Sequence, residues 1–71
     1  MKDSLTLRQR QVLIAVALGK SSAEIGEELG IARRTVEAVR RVLLKKLERR
    51  TVAGLVAAAI QLRYVQPEDV P

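Results

Sequence analysis

Residues 22–41 read SAEIGEELGIARRTVEAVRR, from Ser22 to Arg41. Apolar side chains recur at Ile25, Leu29, Ile31, Val36 and Val39, Gly26 follows the first of them, and Gly30 stands between the two halves. Two short helices that cross steeply through a three-residue turn need a small residue where their backbones approach, a flexible residue at the corner and an apolar seam on both inner faces. This stretch supplies all three, so it predicts a helix-turn-helix.

Working outward, Thr6 with Gln9 and Ser21 with Glu24 form two capping-box signatures, each satisfying free backbone donors in the first turn of a helix. They predict a first helix over about 7–18, stopped by Gly19, and a second over about 22–29, stopped by Gly30. A third helix is expected over about 33–47 and a fourth, capped by Thr51, over about 52–63. The acidic, proline-bearing tail, 66–71, is expected to fray. The connections are so short that the four helices must pack on one another. The reading is a single all-α, four-helix domain spanning residues 1–71.

Winding the third helix at about 100° per residue gathers Val36, Val39, Leu43 and Leu47 on one side. Arg34, Ala38, Arg41 and Lys45 fall opposite, with Arg33, Glu37 and Leu44 on one flank and Thr35 and Val42 on the other. A basic stripe with a small residue near its middle suits a helix lying in a major groove: the backbone approaches closely, and Arg and Lys reach bases or phosphates.

The charge distribution points the same way. The 71-residue chain carries a net charge of +5, a balance that suits an anionic partner. Residues 32–50 alone hold eight Lys and Arg against Glu37 and Glu48, so the whole excess sits there. Cys and His are both absent, which removes disulfides, thiol chemistry and the usual zinc ligands. The longest apolar run, Val12 to Leu18, is far short of a membrane span, which needs about 20 residues. No secretory signal is legible, so a cytoplasmic, non-membrane protein is expected. With no glycine-rich phosphate loop and only a helix-surface cluster of Glu24, Glu27 and Glu28, catalysis is not expected, nor is a metal or other cofactor.

The opening Leu5-Thr6-Leu7-Arg8-Gln9-Arg10-Gln11-Val12-Leu13 resembles that of the LuxR/GerE-type DNA-binding domain, also found in NarL/FixJ response regulators. Gly19-Lys20-Ser21-Ser22-Ala23-Glu24-Ile25-Gly26 is similar to its second-helix signature, and Thr35-Val36 and Lys46-Leu47 to its Thr-Val and Lys-Leu pairs. The resemblance covers about Leu5 to Val65. It implies a four-helix domain whose third helix enters the major groove and whose fourth commonly forms the dimer contact. It implies base-facing roles for Glu37, Ala38 and Arg41, and backbone contacts for Arg34, Thr35 and Lys45, with Arg33 beside them. Ser21 and Ser22 would meet phosphate through hydroxyls and free N–H groups at the start of the second helix.

Four positions depart from the family pattern. Ala32 replaces the usual Ser cap of the third helix, Val39 a common His, and Glu48 the usual Gly. Glu37 replaces a common Lys and puts a negative charge beside DNA. It either accepts from a cytosine amino group or pairs with Arg33 or Arg41, each four residues away. The intrahelical pairing is the favoured expectation.

The fourth helix is apolar almost all round, which a surface helix should not be. One face is expected to close the core and the other to meet a second copy through Val52, Gly54, Leu55, Ala58, Ala59 and Leu62. The function expected is sequence-specific binding of double-stranded promoter DNA by a homodimeric transcriptional regulator. Two alternatives stand beside it. One is a sigma-factor region 4-like domain. The other is a helix-turn-helix that binds RNA polymerase or another regulator instead of DNA, for which Glu37 is the main support.

Overall fold

The computed structural model describes residues 4–71, which form α1 (Leu7–Ala17), α2 (Ser22–Leu29), α3 (Arg33–Lys46) and α4 (Val52–Gln61), with no strand among them. Both expected capping boxes are formed. Thr6 Oγ1 accepts from the Gln9 N–H at 3.1 Å while the Thr6 N–H donates to Gln9 Oε1 at 2.9 Å. Ser21 and Glu24 repeat the exchange at 3.1 and 2.7 Å. Thr51 caps α4 through the Gly54 N–H. Ala32 precedes α3 with no side-chain cap.

Three of the helices end in the same way. After α1, the Gly19 N–H donates to the Val16 carbonyl and the Lys20 N–H to that of Ala15. After α3 the pairs are Glu48 to Lys45 and Arg49 to Leu44; after α4 they are Arg63 to Ile60 and Tyr64 to Ala59. Each is a Schellman closure, which needs a left-handed residue just past the helix. Gly19 supplies it at φ 86° without strain, whereas Glu48 (φ 55°) and Arg63 (φ 65°) adopt it despite a Cβ. These closures end α1, α3 and α4 one or two residues earlier than the periodicity suggests.

The core is a single cluster. Val12 and Leu13 of α1, Ile25 of α2, Val36 and Leu43 of α3, and Leu55 and Ala59 of α4 are fully buried. Leu29, Ile31, Val39 and Leu47 are half-buried against it, so the seam expected for the motif is the seam observed. α2 packs on α3, and α1 lies against α2, α3 and α4. At Gly26 an added Cβ would stand 2.7 Å from the Ile31 carbonyl oxygen, and this bare backbone is what lets α2 run close to the turn.

The tail differs from expectation. Val65 is buried, Pro67–Asp69 forms a 3-10 turn, and Val70 packs against the core. Pro71 sits so close over Gly19 that a Cβ there would meet its ring at 2.7 Å. Two apolar anchors and a proline-started turn hold residues that composition alone marks as loose.

Candidate nucleic-acid interface

Helix α3 has 14 residues and is ~21 Å long. Val36 and Leu43 fix its inner side in the core, which turns Arg34, Thr35, Arg41 and Lys45 to solvent with Ala38 half-buried between them.

The eight cations of residues 32–50 divide into two sets. Four are engaged inside the molecule. Arg33 Nε lies 3.2 Å from Glu37 Oε2. Arg40 Nη1 donates to Ser22 Oγ at 2.8 Å. Lys46 Nζ donates to the Ser4 carbonyl and to Gln9 Oε1. Arg49 spans the start of α4, donating to the Gly54 carbonyl at 3.3 Å and to Gln61 Oε1 at 2.7 Å. The other four, Arg34, Arg41, Lys45 and Arg50, have no partner among the described residues. Three of these four are the basic residues of the outward stripe. Charge alone does not separate the two sets. The helical winding does in part, because Arg40 falls beside Val36 and Leu47 rather than on the stripe.

The Arg33–Glu37 pair is the intrahelical option for Glu37. Both side chains are well exposed, 71% and 42%, so the pair contributes only about 0.3–0.5 kcal/mol. Its consequence is electrostatic: the Glu37 carboxylate is partly neutralised at the edge of the stripe.

At the start of α2 the two serines part company. Ser21 is exposed, but its N–H and hydroxyl oxygen are occupied by Glu24. The Ser21 N–H donated to the Glu24 carboxyl, and after it the Ser21 hydroxyl, hold that carboxyl below its ordinary pKa, so the first turn of α2 carries a negative charge of its own. Ser22 is only 6% exposed and its hydroxyl is bound to Arg40. The expectation that the Ser22 hydroxyl faces phosphate is therefore corrected: a polar side chain at a helix start looks superficial in sequence, but α3 covers this one.

The expected protein contact on α4 also changes. Leu55, Ala58 and Ala59 are buried within the protomer itself, Leu62 is half-buried against the core, and Gly54 lies under Arg49, whose Cβ is 3.0 Å from where a Cβ of Gly54 would be. None of the first three is available to a second chain. Val52, one of the expected residues, is exposed, as is Ala53; Val56 and Ala57 are half-exposed, and Ile60 is half-buried with part of its side chain against the core. No helix of the described residues is long and apolar enough to cross a membrane.

The model for bacterial regulatory proteins of the luxR family, GerE, matches residues 3–59. The chain is similar to the transcriptional regulatory protein MctR of Rhizobium johnstonii, 45% identical over 58 residues. That alignment covers 82% of this chain and 27% of MctR, so the chain spans little more than a quarter of that relative. No solved structure matches.

Proposed function

Because the chain belongs to the luxR family of bacterial regulatory proteins, we propose that it regulates transcription by reading duplex DNA with α3 in the major groove. One observation carries this reading: the uncommitted cations of α3, Arg34, Arg41 and Lys45, lie on one outward stripe around Ala38, while its other cations are engaged internally. Arg41 is the base-reading residue, with Ala38 giving close approach. Arg34, Thr35 and Lys45, with the Ser21 hydroxyl at the edge, meet the phosphate backbone. Glu37 keeps its Arg33 partner, and its carboxylate shapes base preference by disfavouring base edges that present only acceptors.

The chain acts as a homodimer whose second copy covers Val52, Ala53, Val56, Ala57 and Ile60 of α4. A two-fold pair would read half-sites about one helical turn apart, or a multiple of it.

Selection from random duplex DNA, followed by titration of the enriched sequences at two salt concentrations, tests this. The expected result is a palindromic site bound far more tightly than random sequence, with an affinity that falls steeply with salt. Weak binding without enrichment would overturn the reading and favour a protein partner for the same surface.

A further inference from the structure

Arg40 lies on α3 but off the stripe, and its only partner among the described residues is the buried hydroxyl of Ser22. No carboxylate among those residues lies within ion-pair distance of it. A half-buried guanidinium with no acid beside it forms no ion pair, so its value lies in the geometry of its hydrogen bond.

Besides the apolar seam through Ile25, Leu29, Val36 and Val39, α2 meets α3 at two closer, directed contacts. One is the turn, where the bare Gly26 backbone meets Ile31 and the Arg33 N–H, 3.5 Å from an added Cβ. The other is the Arg40–Ser22 bond. The two places are ~6 Å apart along α2 and ~10 Å apart along α3. The apolar seam holds the helices together without a preferred direction, whereas two directed contacts, well separated from each other, restrain the crossing angle.

We propose that Arg40 is a positioning residue for DNA binding. Through Ser22 it sets the angle of α2 on α3, and so the placement of Ser21 and the first turn of α2 relative to Arg41 and Lys45; it does not itself meet DNA. This rests on the reading of α3 as the groove helix.

The test uses the whole chain and the enriched duplex. Wild type, Ser22→Ala, Arg40→Gln, Arg40→Lys and the Ser22→Ala/Arg40→Gln double variant are titrated at several salt concentrations, with helix content checked by circular dichroism. Each single loss should weaken binding about tenfold, the scale of one hydrogen bond to a charged group. The double variant should be no weaker than Arg40→Gln alone. Salt slopes should match wild type, and Arg40→Lys, which keeps a charged donor without the guanidinium fork, should recover part of the affinity. A salt slope lowered by about one in Arg40→Gln, with losses that add in the double variant, would make Arg40 a phosphate contact and overturn the proposal. Unchanged binding in both single variants would overturn it too, leaving the bond a matter of stability only. If Arg40→Gln does not fold, the smaller Ser22→Ala change decides alone. A wild-type chain that enriches no sequence fails the groove reading itself, and the positioning role falls with it.

Discussion

Helix α3 buries Val36 and Leu43 and turns Arg34, Arg41 and Lys45 to solvent; helix α4 buries Leu55 and Ala59 and turns Val52 and Ala53 outward. Both anchor one side in the same core, and both end in a Schellman closure on a non-glycine residue, Glu48 and Arg63. What separates them is the free side. On α3 it is a row of cations without a partner among the described residues, which water tolerates and a polyanion rewards. On α4 it is a row of small and branched hydrocarbons, which water tolerates poorly and another hydrocarbon surface covers well. One scaffold thus presents a polar partner surface and an apolar one, and each should fail in its own way.

The largest expected effect is on α4. Ala57→Glu places a carboxylate on the outward face, and two-fold symmetry brings it against a like charge or an apolar surface. Sedimentation should show a monomer, and affinity for a palindromic site should drop on the order of 100-fold while a single half-site is bound as before. A dimer that persists would break the comparison, because the apolar face would then have no partner role. On α3, Arg41→Ala should cost ~1–3 kcal/mol on the enriched site and little on random DNA, measured by competition titration. Equal loss on every sequence would reassign Arg41 to phosphate.

The shared ending gives a third measurement. Glu48→Gly should remove a left-handed strain and raise stability by about 1 kcal/mol in thermal melts; no gain would mean that the Glu48 side chain offsets its backbone cost. Lys45→Ala should leave sequence preference intact and lower the salt slope by about one. An unchanged slope would remove Lys45 from the polar surface.

The smallest effect concerns the start of α2. Because the folded Glu24 carboxyl titrates below its ordinary value of 4.5, its contribution is complete above that value and is lost as pH falls through the lowered one. The melting temperature of wild type should therefore fall more on acidification than that of Glu24→Gln. Parallel falls would show that the capping box does not depend on the charge.

Local chemistry made much of this fold legible. The capping boxes at Thr6 and Ser21, the left-handed Gly30 (φ 70°) and the close approach at Gly26 each depend on a few adjacent residues, and each forms as the sequence suggests. The stripe of α3 was legible because alternating charge and hydrocarbon give a strong period. α4 gave no period: Ala58 and Ala59 look the same in sequence as Ala53 and Ala57, and only packing against α1 decides which set is buried. Ser22 and Arg40 lie eighteen residues apart, and no local rule joins them. The packing of the tail is hard to read because its acidic and proline residues outweigh Val65 and Val70 in composition, though these two apolar residues are what rest on the core.

That anchoring has a practical side. With Pro71 resting on Gly19, residue 71 lies at the corner between α1 and α2, two positions from Ser21. A dye attached at residue 71 would therefore stand beside the edge proposed to meet phosphate. It would serve as a reporter of that corner, and a bulky tag there would be a poor choice for measuring affinity.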